Sequence, residues 1–97
     1  MDDTSSVTTS SEVKVKVVRN VGLMALHSGK VKLSSINFVI NDVSKTVDIN
    51  HCYTKKKYRG KGFAAALLKE MVKYCEERKM TIVPICSYAS EMMPKLL

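Results

Sequence analysis

Hydrophobic and polar residues alternate along the first half of the chain. Val13, Val15 and Val17 fall on one face of an extended segment, with Lys14 and Lys16 on the other, and this period of two predicts a β-strand. Three further apolar segments follow, each bounded by turn-forming residues: 23–26, 31–40 and 46–54. We therefore predict four strands joined by short turns, which form an antiparallel meander.

The third and fourth predicted strands differ in how regular their alternation is. In the third strand the alternation slips at Ser34-Ser35, which is typical of a β-bulge. The fourth strand keeps its period of two to the end. Its predicted faces carry Val47, Ile49, His51 and Tyr53 on one side and Asp48, Asn50 and Cys52 on the other.

The period changes from two to 3.6 after a short basic segment. Apolar residues with helical spacing predict an amphipathic helix from about Gly62 to Lys79. They are Phe63, Ala64, Leu67, Leu68, Met71, Val72 and Cys75.

The residues after this helix predict one more strand and one more helix. The apolar run Thr81–Cys86 is typical of a strand buried on both faces, and a right-handed crossover would make it parallel to the fourth strand. Pro84 cannot donate a hydrogen bond, so this strand should lie at an edge or splay from its neighbour. Ser87 could cap a last helix, which Pro94 should limit to about two turns.

Composition limits what this chain of 97 residues can be. With 45% hydrophobic residues it can build one core, and the polar segment 1–11 is expected to be a disordered tail. No apolar run reaches about 18 residues, so no transmembrane helix is expected. Three cysteines without a C-x-x-C pair indicate a reducing compartment, which we expect to be the cytoplasm, with the nucleus as the alternative. No zinc-ligand spacing is found, and we expect no metal.

Positive charge is densest immediately before the long helix. The net charge of +7 favours an acidic partner, and five of the seven residues in 55–61 are basic. Gly60 and Gly62 lie within and just after this segment, where backbone N–H groups could hold a phosphate. A dinucleotide-binding fingerprint would need a following strand that ends in an acidic residue, and a Walker A loop would need Lys-Ser or Lys-Thr after the second glycine. Neither is present.

The segment Arg59-Gly60-Lys61-Gly62-Phe63-Ala64 fits the pattern R-x-x-G-x-A between a strand and a helix. It resembles the pyrophosphate loop of the GNAT superfamily of acetyl-CoA-dependent N-acetyltransferases. The chain is similar to the minimal, single-domain members, which share Asp-x-x-His before the loop and Cys-Ser-Tyr near the end. Here these motifs are residues 48–51 and 86–88.

The resemblance implies an α+β fold for a single GNAT-like domain, residues 12–97. The meander leads into a β-α-β crossover with a splayed parallel strand pair and a short C-terminal helix. It implies His51 and Cys86 as catalytic residues. The expected coenzyme A-binding residues are Tyr53, Lys57, Tyr58, Arg59, Gly60, Lys61, Gly62, Phe63, Ala64 and Ser87.

Two routes for acetyl transfer follow from this resemblance. His51 could deprotonate an amine that attacks acetyl-CoA directly, or Cys86 could accept the acetyl group and pass it on. Cys75 and Cys52 are interpreted as structural, and Tyr88 either donates a proton to the departing thiolate or packs. The relatives' Thr-x-Val-Pro after the histidine is replaced here by Cys52-Tyr53-Thr54-Lys55.

The first functional hypothesis is therefore an N-acetyltransferase that uses acetyl-CoA and an unidentified amine or protein acceptor. The second is a coenzyme A-binding module without efficient turnover, because the paired N-terminal helices of larger relatives are missing. The third is a basic nucleic-acid-binding domain. The sequence disfavours nucleic acid as a partner, because it has no base-reading motif and no aromatic platform, and we expect no membrane partner.

Overall fold

The computed structural model of the protein describes residues 11–96. Its elements are β1 (Ser11–Val18), β2 (Val21–Ser28), β3 (Val31–Asn41), β4 (Thr46–Thr54), a 3₁₀ turn (Lys56–Tyr58), α1 (Phe63–Glu77), β5 (Thr81–Pro84) and α2 (Ser87–Leu96). The tail expected at residues 1–11 lies outside the described residues, except that Ser11 already begins β1.

The five strands form one sheet in the order in which they occur along the chain. Strands β1 to β4 are antiparallel, and β5 pairs in parallel with β4. Arg19 and Asn20 join β1 to β2 with φ of 52° and 68°, as a two-residue hairpin with a primed turn requires. The predicted α+β fold, a meander followed by a β-α-β crossover, is confirmed.

Helix α1 covers one face of the sheet and forms the core with it. Its buried residues are Leu67, Leu68, Met71 and Cys75, which follow the predicted apolar positions. They pack with buried residues of β2, β3 and β4, among them Met24, Phe38 and Ile49. The opposite face of the sheet is more open, and Val18 and Val21 are 56% and 58% exposed there.

A β-bulge at Asn50 reverses the faces of β4. Phe38 pairs with Ile49, but Asn37, the residue before Phe38 in β3, pairs with His51. Asn50 therefore has no partner in β3. Our prediction of unbroken alternation was therefore wrong beyond Ile49. Cys52 lies on the helix side of the sheet, half-buried, and His51 is exposed on the other side.

Three other elements differ in detail from the sequence-based prediction. The bulge in β3 is present, but the extra residue is Leu33, one position before Ser34. Strand β5 ends at Pro84, and our prediction that it is buried on both faces was wrong. Val83 and Ile85 are 37% and 57% exposed, because both helices lie on one side of the sheet. Helix α2 continues past Pro94. The Ser90 carbonyl that loses its N–H donor there lies on an exposed residue, where water can replace the bond.

The approach of Gly22 to Phe38 gives a stability prediction. These residues pair across β2 and β3, and a Cβ atom on Gly22 would clash with Cζ of the buried Phe38 ring. Gly22→Ala should therefore lower the free energy of unfolding by about 1–3 kcal/mol, measured by urea denaturation. Val43→Ala, at a side chain that is 96% exposed, should change it by less than about 0.5 kcal/mol. Equal stability of Gly22→Ala and wild type would contradict this packing.

Candidate active site

Strands β4 and β5 diverge immediately after a short parallel pairing. Thr46–Ile49 pairs with Thr81–Pro84, and the Ile49 carbonyl oxygen then accepts hydrogen bonds from both Ile85 N and Cys86 N, each at 3.0 Å. The bulge at Asn50 turns β4 away, and the pairing of the two strands ends there. The strand pair therefore opens into a V, as the splayed pair in the predicted fold requires.

The basic segment after β4 folds onto itself and onto the end of the strand. Tyr58 N donates to the Lys55 carbonyl at 2.8 Å, and Arg59 Nε donates to the Thr54 carbonyl at 2.9 Å. The Tyr58 ring contacts the Phe63 ring edge-on, with 6.4 Å between centroids. Lys57 Nζ lies 5.2 Å from the centre of the Tyr58 ring. These contacts fix the path of the chain from β4 into α1.

The start of α1 carries backbone N–H groups that the helix itself does not use. Ala66 N is the first amide to donate within the helix, to the Gly62 carbonyl at 2.9 Å, so the amides of Phe63, Ala64 and Ala65 precede the first helical bond. No side chain caps this end and its first turn has no acidic residue. Free amides together with the positive end of the helix dipole favour an anion here.

Two glycines shape the loop in front of these amides. Gly60 has φ 78° and Gly62 has φ 82°, a region that side chains other than glycine rarely adopt. No heavy atom lies within 4 Å of the place where a Cβ would stand on either residue. The loop is therefore open to a ligand on the side where side chains would otherwise project.

A cavity of about 670 Å³ lies between this loop, the diverging end of β4 and α2. Eight of the residues predicted for the site line it: His51, Tyr53, Tyr58, Arg59, Gly60, Gly62, Phe63 and Ala64. Cys52, Thr54, Ala65, Tyr88 and Met92, which were not among the predicted site residues, also line it. Four predicted site residues lie outside the lining: Lys57, Lys61, Cys86 and Ser87.

Cys86 lies directly behind this lining and contacts Cys52. The two Sγ atoms are 3.2 Å apart, and the Ala89 backbone N–H in the first turn of α2 donates to Cys86 Sγ at 3.3 Å. Burial raises the pKa of Cys52 to about 12, and the hydrogen bond to Cys86 and its charge add to this effect. Cys52 therefore keeps its proton at neutral pH, and its Sγ accepts the hydrogen bond that the Cys86 thiol donates.

Tyr88 and His51 occupy different sides of the site. Tyr88 lines the cavity, and its pKa is raised by burial and then by the charges of Cys52 and Cys86, so its hydroxyl keeps its proton at neutral pH. His51 stacks on Tyr53, with ring centroids 6.4 Å apart. The bulge directs the side chains of His51 and Cys52 to opposite faces, so the structure brings Cys86 to Cys52 and leaves His51 with Tyr53.

Two negative findings apply to residues 11–96. No helix in this range is long and apolar enough to cross a membrane. Nor does this range contain a group of three or more His, Cys, Asp or Glu side chains arranged to hold a metal ion.

Comparison with known protein families agrees with this geometry. Residues 24–96 match the family model described as GCN5-related N-acetyl-transferase. The chain belongs to the GCN5-related N-acetyltransferase family. The match includes both sides of the V-shaped opening, the glycine loop and α2.

A solved structure of an N-acetyltransferase has a similar fold. It is the ribosomal-protein-alanine N-acetyltransferase from Brucella melitensis biovar Abortus 2308, with a TM-score of 0.62 and 23% sequence identity. The match covers 81% of this chain and 61% of the length of that protein, and at this identity it shows the fold alone. No curated protein sequence matches the chain.

Among the lining residues that the sequence-based prediction missed, Met92 and Cys52 were missed for different reasons. Met92 follows Tyr88 by four residues, so both lie on one face of α2, and this spacing could have revealed it. Cys52 gave no such signal, because the bulge that turns it toward Cys86 is not visible in the alternation of β4.

The raised pKa of Cys52 predicts slow alkylation in the folded protein. At pH 9 a thiol with a pKa near 12 is almost entirely protonated, and only the thiolate reacts. Iodoacetamide should therefore modify Cys52 on the order of 100-fold more slowly in native protein than in urea-unfolded protein, and the native rate should rise up to pH 12. Peptide mass spectrometry measures both rates. Equal rates in the two states would contradict the protonated Cys52.

Proposed function

We propose that this protein transfers an acetyl group from acetyl-CoA to an amine. The observation that carries the proposal is the glycine loop at Gly60 and Gly62, which leads into the uncapped start of α1 beside the V between β4 and β5. An amide-lined anion site next to a strand that has lost its parallel partner fits both the charged and the extended part of coenzyme A. Membership of the N-acetyltransferase family supports the same reading.

The charged part of coenzyme A fits the loop and its surroundings. The amides of Phe63, Ala64 and Ala65 would hold the pyrophosphate. Exposed lysines of the basic segment would balance the remaining phosphate charge: Lys55, Lys56, Lys57 and Lys61. This explains how Lys57 and Lys61 could contribute without lining the cavity.

The extended part of coenzyme A fits the open strand edge. Beyond the bulge, residues 51–54 of β4 continue to pair with β3 but not with β5 in the described chain, so their free backbone groups can pair with the pantetheine amides. Cys52, Tyr53 and Thr54 line the cavity along this edge. Bound acetyl-CoA would supply an activated thioester at the closed end of the V.

We propose Cys86 as the first acceptor of the acetyl group. Its sulfur accepts a hydrogen bond from the Ala89 N–H in the first turn of α2, and this donor would stabilise the thiolate that a nucleophile must form. Cys86 would first lose its proton to solvent. Its Sγ would then bond to the acetyl carbon while the thiolate of coenzyme A leaves and takes a proton from the Tyr88 hydroxyl. The acceptor amine would then take the acetyl group from Cys86 and lose a proton. Because Cys52 stands between Cys86 and the cavity, its side chain must move aside.

The second candidate route is direct attack of the amine with His51 as the base. One observation favours it: His51 lines the cavity, whereas Cys86 lies behind the lining. In this route the β4 backbone would stabilise the oxyanion, and no acetylated enzyme would form. The same cavity also fits a third prediction, in which the protein binds coenzyme A without turnover. The experiments below distinguish this outcome from the two transfer routes.

The glycine loop gives a direct test of acetyl-CoA binding. Gly62→Ala disfavours the φ of 82° by about 1–2 kcal/mol, so the loop amides should no longer converge and the Kd measured by calorimetry should rise on the order of tenfold. Gly29→Ala is the matched control. Gly29 also has a positive φ and open space where a Cβ would stand, but it lies in the β2–β3 hairpin. Its substitution should therefore not change acetyl-CoA binding. Equal effects of the two substitutions would count against this site.

Mass spectrometry after incubation with acetyl-CoA distinguishes the two transfer routes. Acetylated Cys86 should accumulate in wild-type protein when no amine is present, and Cys86→Ser should lose both this species and most amine acetylation. Cys75→Ser, which alters a thiol in the core beneath α1, is the control and should retain both. Loss of activity in His51→Gln together with full activity in Cys86→Ser would establish direct transfer instead. Tight binding without any acetylated product would leave only the binding module.

A further inference from the structure

The structure brings two of the three cysteines together. Cys52 lies in β4 and Cys86 lies 34 residues later, between β5 and α2, yet their Sγ atoms are 3.2 Å apart. This distance is about 1 Å longer than a covalent disulfide bond. Both side chains are half-buried, and the free thiol form is the one observed. The two sulfur atoms are thus close enough to form a disulfide bond, but they are not bonded.

Two backbone irregularities create this contact. The bulge at Asn50 turns Cys52 to the helix side of the sheet, where regular alternation would have placed His51. The end of β5 at Pro84 lets the chain turn so that Cys86 leads into α2, with the Ala89 N–H on its sulfur. The two thiols therefore face each other where β4 and β5 separate.

We propose that Cys52 and Cys86 form a reversible dithiol–disulfide site, in which a peroxide oxidises Cys86 and Cys52 resolves it. Cys86 is the sulfur that reacts first, because the Ala89 N–H donates to it, whereas burial raises the pKa of Cys52 and keeps that thiol protonated. The second thiol is already in contact, so the oxidised sulfur meets its partner without a movement of the strands.

The reaction consumes one peroxide and both thiols. The Cys86 thiolate attacks a peroxide oxygen, an S–O bond forms, the O–O bond breaks, and the departing hydroxide (for hydrogen peroxide) takes a proton to become water. The Cys52 sulfur then attacks the Cys86 sulfur. An S–S bond forms, the S–O bond breaks, and the second hydroxide leaves as water with the Cys52 proton. Two electrons pass from the thiols to the peroxide, and a dithiol reductant reverses the change.

The disulfide would have a direct consequence for acetyl transfer, and this consequence rests on the proposed function. A Cys86 sulfur bonded to Cys52 cannot accept an acetyl group, so the oxidised protein would lose transfer and regain it on reduction. The same bond would keep Cys86 from oxidising irreversibly to the sulfinic acid. In a reducing compartment such a disulfide is transient, as regulatory disulfides are.

Cys75 provides an internal control for this chemistry. It is 1% exposed beneath α1, and its sulfur contacts Met71 Sδ at 3.9 Å rather than another thiol. Trypsin should place the three cysteines in three separate peptides: residues 46–55, 74–78 and 80–95. A linked pair can therefore be assigned without ambiguity.

The test is to oxidise the reduced, folded protein with hydrogen peroxide, block the remaining thiols with iodoacetamide and analyse the tryptic peptides. We expect the peptides 46–55 and 80–95 to be linked, the intact monomer to lose about 2 Da, and the free thiols to fall from three to one. Dithiothreitol should restore all three. A linkage that involves Cys75, only intermolecular linkage, or Cys86 sulfinic acid beside a free Cys52 would overturn the proposal.

Two variants keep the result interpretable. The Cys75→Ala variant retains Cys52 and Cys86. It should therefore still form the disulfide bond, and both of its remaining free thiols should disappear. Cys52→Ser should form no intramolecular disulfide and should accumulate Cys86 sulfinic acid, whereas an unchanged pattern would overturn the role of Cys52. Detection of the linked peptides would identify the disulfide between Cys52 and Cys86, whether or not the protein acetylates an amine. If the bond forms and acetyl transfer is absent from the reduced protein, the proposed function fails and the dithiol site stands.

Discussion

The separation of β4 from β5 after Ile49 is the constraint on which the site depends. One carbonyl, that of Ile49, ends the parallel pairing by accepting two hydrogen bonds. Asn50 then supplies an extra residue on β4, and β5 ends at Pro84. Backbone groups in a sheet are normally paired with those of a neighbouring strand. Here the extra residue of β4 and the end of β5 leave an edge open inside the fold, and the cavity forms at that edge.

Around this opening, the proposed binding and the proposed chemistry fall on different elements. The glycine loop and the start of α1 provide backbone donors, so their role depends on backbone conformation more than on side-chain identity. Cys52 comes from the diverging strand, Cys86 precedes α2 and Tyr88 lies in α2, and the proposed nucleophilic and proton-transfer steps use these side chains. The thiol pair depends on Cys52, a residue that the sequence had led us to interpret as structural.

The fold was predictable from the sequence because its strongest signals are local. The valines at 13, 15 and 17 alternate with lysines, and the apolar stripe of α1 repeats at helical spacing, so each element was recognisable before any tertiary contact was known. The order of elements then gave the meander and the crossover. The exposed side of β5 was not predictable in the same way. A run of a few apolar residues has the same sequence pattern in a central strand as in an edge strand. Only the position of both helices on one face of the sheet distinguishes the two kinds of strand.

For the site, the sequence by itself determined the glycine loop and the residues that surround it. Gly60 and Gly62 are needed for positive φ, and the basic segment and the helix start follow from adjacent positions. Only the tertiary structure decided which side chains meet at the end of β4. One unpaired residue, Asn50, shifts the side-chain period by one, which turns Cys52 toward Cys86 and His51 away. A bulge depends on how a strand pairs with its neighbour, so the alternation of residues within β4 alone does not indicate it.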